Sequence, residues 1–442
     1  MSVYILFSTS WSAQNGGINA INYDLASALN ANAQEIFAIV SDATDSDISD
    51  AARLGVQLRV ASSDYSNLHN WLPALLEDLR PSLNGECLWI GHDTITGGAA
   101  LLARNIVGGK FVLFHHMDYA NYYHLKKKNG EEKISSQKSL LKQADVVFGV
   151  GPRLFANAKR LRLSAKQTYL FEPGRPSFAI AASKEFDRRI AICGRLSASE
   201  DPVKNLSASI RAAVSSINNE GNRGALTLIG AEYGSARNII GKNLPAIAVN
   251  EISYIGNREN YFSELIDNNI VMMPSVKEGF GLVGWEALCL GIPLVLSRSC
   301  GLYEWLKANN LSEYVVSVEM TGIAPFDEMA LKGALSALIG NYKDHKSRAL
   351  ELANSSKIKT WNETAIHFAS LLSSEVPKPR EEKSDPIPVK KADKPKLGFI
   401  DKDNPDGSFE RFEDLLSISC KKRQLVIPID ESTDYSKGKK VK

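Results

Sequence analysis

Glu278 and Glu286 bracket a glycine-rich stretch, Glu278-Gly-Phe-Gly-Leu-Val-Gly-Trp-Glu286, with seven residues between them. The surrounding segment, Pro274 to Ser297, reads as strand end, loop, helix, tight turn and next strand. Gly279 and Gly281 carry no side chain, so the backbone there can approach a ligand closely and take positive φ. A helix starting near Leu282 turns its unpaired N–H groups and positive dipole end toward the loop, which favours an anion. Carboxylates on both sides of such a helix start suit a ligand with phosphate in the middle and hydroxyls at both ends. A sugar nucleotide meets that description. The competing account is structural, because glycine-rich strand-to-helix turns are common and a glutamate there is often only a dipole partner.

Other residues could join this chemistry. Leu88-Trp-Ile90 runs into Gly91-His92-Asp93, and Lys110 to Phe114 runs into His115-His116-Met117-Asp118-Tyr119. Three of the seven histidines thus stand at two strand ends suited to a cleft. Arg195 follows the strand Arg188–Cys193, and Lys204 opens a helix; both could reach a diphosphate held after Gly281, or be solvated surface cations. Asp45 and Asp47 have the spacing to hold a divalent metal, but turn and N-cap chemistry accounts for their polar loop, so no metal site is expected. Lys126-Lys127-Lys128 could meet an anionic acceptor or a lipid surface, against the favoured reading of a solvated loop.

The elements that must position these residues repeat one style. Val3–Phe7, a loop with Gly16 and Gly17, an amphipathic helix to Leu29 and the strand Glu35–Val40 form a β-loop-α-β start. Such a start opens a doubly wound fold, whose ligands lie beyond strand C-termini. The G-x-G-x-x-G spacing of a dinucleotide fingerprint is absent. Strands at Leu88–Ile90, Lys110–Phe114 and Ala144–Val150 complete this block. After Pro173-Gly174-Arg175-Pro176 a second block follows, with strands at Arg188–Cys193, Leu226–Ile229, Ile252–Ile255, Ile270–Met273 and Leu294–Leu296. Helices are expected at Phe326–Leu338, Asn341–Ala353 and Trp361–Leu372.

The expected organisation is α/β: a Rossmann-like domain over 1–175, a second over 176–355, and a crossing helix at about 356–375 that returns to the first. Residues 376–397 form a charged, proline-rich linker, and 398–442 a short tail with a basic end, Lys437–Lys442, suited to a protein partner. Within it Ser408–Leu416 could be helical and Gln424–Ile427 a strand.

With 442 residues the chain has room for two cores or more. Its net charge of +2 supplies no field to attract nucleic acid. From Val376 onward there are 16 Lys/Arg and 13 Asp/Glu, which leaves 36 against 37 before it and puts the basic excess in the tail. Five scattered cysteines without C-x-x-C spacing argue against a zinc site or disulfide framework and for a reducing compartment. The opening apolar run is too short for a signal peptide, and no membrane span is evident. The expected location is cytoplasmic, with peripheral membrane attachment carried as an alternative.

In order and spacing, the chain over about 1–375 resembles the retaining glycosyltransferases of the GT-B fold, family 4. The match runs through Gly16-Gly17-Ile18, His92-Asp93, Ala144-Asp145 with Gly151, Gly194-Arg195-Leu196 with Lys204-Asn205, Glu278…Glu286, Gly291-Ile-Pro293 and Trp361-Asn-Glu-Thr-Ala. The resemblance implies a nucleoside-diphosphate sugar (UDP-, GDP- or similar) between the domains and no cofactor. It assigns Glu278 to the sugar hydroxyls and Glu286 to the ribose. Arg195 and Lys204, with Gly17 and the backbone of Gly279, Phe280, Gly281 and Leu282, hold the diphosphate. A histidine stands near the anomeric centre; His116 is favoured and His115 stays open, because the family has one where this chain has two. Gly16, His92 and Asp118 face an acceptor of unknown kind. Trp285 replaces the family's usual aliphatic residue. Two alternatives remain: a binding module whose tail recruits a partner, and a GT-B epimerase or phosphorylase.

Overall fold

The computed structural model describes residues 2–11, 16–32, 34–162, 167–178, 180, 185–218, 224–241, 248–253 and 258–373. They form two all-parallel sheets flanked by helices. The first holds β1 (Ser2–Ser10), β2 (Glu35–Asp42), β3 (Gln57–Val60), β4 (Glu86–His92), β5 (Lys110–His115), β6 (Val146–Val150) and β7 (Gln167–Phe171), in the order β3-β2-β1-β4-β5-β6-β7. The second holds β8 (Arg189–Cys193), β9 (Ala225–Ile229), β10 (Ala248–Ile252), β11 (Ile270–Met273), β12 (Leu294–Ser297) and β13 (Val316–Val318), in the order β10-β9-β8-β11-β12-β13. Strand order reverses between β1 and β4 and again between β8 and β11. Crevices at those reversals are where doubly wound sheets bind ligands.

The central strands are buried along their length: Val3–Phe7, Ile36–Val40, Phe111–Phe114 and Ile270–Met273 have almost no exposed surface. Helices on both faces of a parallel sheet require such continuous apolar runs. The expected elements need revision at the margins. β3, β7 and β13 are additional strands, and β10 ends at Ile252, where the expected strand began. The polar run before Ala51 is not a loop: the helix Asp45–Arg53 includes it, with Thr44 and Asp47 forming a reciprocal capping box. Both aspartates therefore serve a helix start. The linker, the extension and their expected elements lie outside the described residues.

The last helix, Trp361–Ser373, packs on the first helix, Gly17–Ala31, so this final described segment completes the N-terminal core. Phe368 lies against the rings of Tyr4, Phe114, Phe148 and Phe171, with centroids 4.7–6.4 Å away. The chain therefore crosses between the sheets twice, and the two crossings touch. Arg175 donates its N–H to Lys359 O at 2.7 Å, and a Cβ on Gly174 would strike the Trp361 backbone. Among the described residues, no helix is long and apolar enough to cross a membrane.

Phe368→Ala should lower unfolding free energy by about 3–5 kcal/mol, the cost of emptying a large aromatic site in a packed core. Urea unfolding followed by tryptophan fluorescence reads this; a loss below about 1 kcal/mol would contradict a shared core.

Candidate functional site

The loop after β11 is shaped by glycines and by what lies against them. Gly281 has φ +102° and starts the helix Leu282–Cys289; a Cβ there would sit 2.8 Å from Cys300 Sγ. A Cβ on Gly279 would sit 2.7 Å from His116 O, and one on Gly17 2.5 Å from Leu282 Cδ1. Phe280 is buried, its ring against Gly151 of the first domain, where a Cβ could not fit. Trp285, read as packing or binding, packs: its Nε1 donates to Gly174 O at 3.2 Å, and its ring meets Trp305 edge-on at 5.0 Å. It ties the site helix to the crossing point between domains.

Glu278 accepts a charge-assisted hydrogen bond from Lys204 Nζ and one from Ser275 Oγ at 3.2 Å. Burial raises the Glu278 pKa, but the Lys204 charge, helped by Ser275 and the Gly279 N–H, outweighs it and holds the carboxyl below its ordinary value. The lysine is aimed by its backbone. The short helix Asp201–Lys204 ends at Asn205, whose left-handed conformation (φ 56°) is fixed by a 3.0 Å bond from its amide to Asp327. Val276 N donates to Val203 O at 2.9 Å, joining the loop of Glu278 to the turn of Lys204. Arg195 is exposed near the same edge, its charge felt by Glu200 and Tyr119.

Glu286 is buried, and three residues that sequence reading missed surround it. Arg258 donates to Glu286 Oε1 at 2.7 Å and, across the domain boundary, to Asp24 Oδ2 at 2.6 Å; Tyr261 donates to Glu286 Oε2 at 2.9 Å. Burial pushes Asp24 up to about 6 against the pull of Arg258. No local pattern marks Arg258 or Asp24, which look like ordinary surface charges in the sequence.

The structure separates the two adjacent histidines. His115 is fully buried, its Nδ1 3.0 Å from Asp93 Oδ1 and its Nε2 2.9 Å from Asn157 Oδ1. Burial lowers its pKa, but Asp93 more than compensates and raises it. His116 is half-buried at the mouth of β5, beside the Glu278 loop. Asp93, at φ 41°, holds that mouth in place by accepting from the N–H groups of His116 (2.8 Å) and Met117 (3.0 Å). His92 has no exposed surface and so cannot face an acceptor directly; its ring lies between Asn22 and His116. Asp118 caps the helix Tyr119–Leu125 and accepts from Asn157 at 2.8 Å, while Gly16 (φ 107°) caps the first helix.

Further polar contacts close the two domains on each other. Arg153 donates to Glu304 at 2.7 Å and to the carbonyls of Glu278 and Ser299. Tyr122 and Lys126 both donate to Glu200, at 2.8 and 2.9 Å. A cavity of about 470 Å³ lined by Asp187, Arg189, Thr227 and Glu264 lies at the opposite, N-terminal end of the second sheet's strands, away from this constellation.

Residues 5–368 match the family model described as family 4 glycosyltransferase in conflict systems. No curated protein matches the chain. Among solved structures, sucrose-phosphate synthase from Thermosynechococcus elongatus is similar at 17% identity and TM-score 0.64, over 84% of this chain and 98% of its own. Anabaena HepE in complex with UDP and glucose is similar at 15% identity and TM-score 0.62, over 85% and 100%. WaaG, a glycosyltransferase involved in lipopolysaccharide biosynthesis, is similar at 12% identity and TM-score 0.59, over 84% and 100%. At such identities the likeness is one of fold, and that fold is GT-B.

Arg258→Met would leave Asp24 and Glu286 buried without their cation and should cost about 3–5 kcal/mol at pH 7. Burial already holds Asp24 up at about 6 against the pull of Arg258, and losing that pull raises it further, so the penalty grows as pH rises and shrinks as pH falls below about 6. Chemical unfolding at pH 5 and 7 checks this; a deficit equal at both would refute the charge account.

Proposed function

The chain belongs to the family 4 glycosyltransferases of conflict systems, and from that premise we propose that it moves a sugar from a nucleoside-diphosphate sugar to an acceptor, with retention and without a metal ion. One observation carries the reading. The N-terminus of the helix Leu282–Cys289, the cation Lys204 and the carboxylate Glu278 converge at the strand-order reversal of one sheet, with His116 facing them from the other.

The N–H groups of Phe280 to Leu282, beside Gly279 and Gly281, receive the diphosphate, with Lys204 and Arg195 neutralising its charge and Gly17 letting Leu282 and its helix start pack close against the first domain. These donors are fixed before reaction, so they stabilise the charge that develops as the diphosphate departs without reorganising. Lys204 and Glu278, paired here, each turn to the ligand when it binds: the ammonium to phosphate, the carboxylate to sugar hydroxyls. Glu286 retains acceptor capacity beyond its bonds to Arg258 and Tyr261 and takes the ribose hydroxyls. His116, rather than the enclosed His115, stands by the anomeric carbon. The acceptor enters from the side of Gly16 and Asp118.

The bond from the anomeric carbon to the leaving phosphate oxygen breaks, and the acceptor oxygen bonds to that carbon on the same face. The acceptor's proton passes to the departing phosphate oxygen. The similar fold of HepE, a protein solved in complex with UDP and glucose, supports a donor of this class. A cytoplasmic setting and a protein partner for residues 398–442 belong to the same proposal.

Glu278→Gln should cut transfer about 100-fold or more, on the scale of losing one preorganised polar contact at the reacting centre, while the folded structure persists by circular dichroism. The assay follows nucleoside diphosphate released from a panel of nucleotide sugars. Full activity in the folded variant would sink the role of Glu278. Excess chelator should leave the wild-type rate unchanged, and a collapse of rate would overturn the metal-free mechanism.

A further inference from the structure

We propose that a buried hydrogen-bond relay, Ser10–Ser8–Asn22–His92, fixes the tautomer of His116 so that its Nδ1 meets the donor sugar as a hydrogen-bond acceptor. Asn22 and His92 are then positioning residues for that nitrogen. The substrate half of this inference rests on His116 being the donor-facing histidine.

The direction of the relay follows from its far end. Ser8 Oγ donates its single proton to the carbonyl of Ser10 at 3.1 Å, and a carbonyl can only accept. Ser8 Oγ therefore accepts from Asn22 Nδ2, 3.1 Å away, which turns the Asn22 carbonyl oxygen toward His92. That oxygen lies 3.0 Å from His92 Nε2, so Nε2 carries the proton. His92 is fully buried, and burial pushes its pKa down to about 3, so its ring is neutral and Nδ1 is bare. His92 Nδ1 lies 2.8 Å from His116 Nε2, which must therefore donate.

His116 is itself held well below its ordinary pKa, first by burial and then by the neighbouring His92 and His115. Asp93, the carboxylate of this cluster, is engaged by His115, Gln137 and two backbone N–H groups and makes no bond to the His116 ring. With Nε2–H spent on His92, His116 presents Nδ1 as a lone pair. That nitrogen has no protein partner among the described residues.

The consequence is chemical selection. A bare imidazole nitrogen accepts from an O–H group and is repelled by a phosphate oxygen, which also offers only lone pairs. His116 thus reads a sugar hydroxyl and keeps the diphosphate on the opposite side, toward Lys204. The sequence held a trace of this arrangement. Asn19 and Asn22 fall three residues apart on the apolar face of the first helix, and both are buried. Asparagine on such a face must be satisfied internally.

The test is long-range ¹H–¹⁵N correlation on histidine-labelled full-length protein, with His116 assigned by its loss in His116→Ala. The expected wild-type pattern is protonated Nε2 and bare Nδ1 at pH 7. His92→Leu should release His116 into mixed tautomers and lower kcat by roughly ten- to a hundredfold, as losing an orienting partner does elsewhere, with little change in KM. His92→Asn keeps an acceptor near the position of Nδ1 and should restore the single tautomer. Protonated Nδ1 in the wild type, or an unchanged pattern in His92→Leu, would overturn the relay. Since the wild-type spectrum alone decides direction, a poorly folding variant does not weaken the test. If His116→Ala transferred sugar at the wild-type rate, the substrate contact would be wrong even with the tautomer confirmed.

Discussion

The two domains meet at the candidate site through contacts that a side chain would forbid. Gly279 lies against the His116 carbonyl, Gly17 against Leu282, and Gly151 against the ring of Phe280. Each missing Cβ lets the loop after β11 approach the first sheet to within van der Waals reach. The Glu278 loop and the histidine mouth are thereby brought face to face although they lie on separate sheets. Positive φ at Gly281 and Gly151 adds a second reason for glycine, since other L-residues are strained there. The spacing of the site is therefore set by one approach of backbone to backbone, Gly279 to the His116 carbonyl, and by two approaches of glycine backbone to packed side chains, Leu282 and Phe280.

Charge then decides what this close approach tolerates. At Asp24–Arg258–Glu286 two carboxylates share one buried guanidinium, and the planar, permanently charged fork of arginine can serve both at once. At Glu278–Lys204 the pair is one to one. Desolvating ions is costly unless each is paired and hydrogen-bonded, so burial makes the pairing obligatory at Arg258 and Glu286, and partial burial favours it at Lys204 and Glu278. The first group joins the domains through Asp24 on the first helix. The second lies wholly within the second domain, bound to the loop that contacts the first.

Much of this could be read from the chain. Interior strands are continuous apolar runs because both faces of a parallel sheet are covered, and these were located well. The four strands missed or misplaced, β3, β7, β10 and β13, are the four edges of the two sheets. Edge strands such as Gln57-Leu-Arg-Val60 carry polar residues, since they must not recruit further strands, and so lose the apolar signature. At the site, Glu278, Glu286 and Lys204 were legible because glycines and a helix start sit beside them. Arg258, Tyr261 and Asp24 were not, because their meaning arises only when distant segments pack together. Adjacent His115 and His116 were ambiguous in sequence because the family has one histidine where this chain has two, and nothing local says which of the two is enclosed. Their burial differs, with His115 enclosed by Asp93 and Asn157 and His116 half-buried just past the end of β5.

The pairing of Lys204 with Glu278 has a further implication for how a ligand is admitted. On the proposed function, each ion already satisfies the other, so a ligand that offers only negative charge would gain Lys204 but leave the half-buried Glu278 without its cation. A ligand that offers only hydroxyls would gain Glu278 and strand the lysine. Splitting the pair is favourable only for a molecule that brings phosphate and hydroxyl groups together at the right separation. On the same proposal, the helix N-terminus next to Glu278 would add weight on the phosphate side, and the half-buried His116 a requirement on the hydroxyl side. On the proposed function, selectivity would arise from the cost of partial occupancy as much as from attraction, because a mismatched ligand would leave one partly buried group unsatisfied.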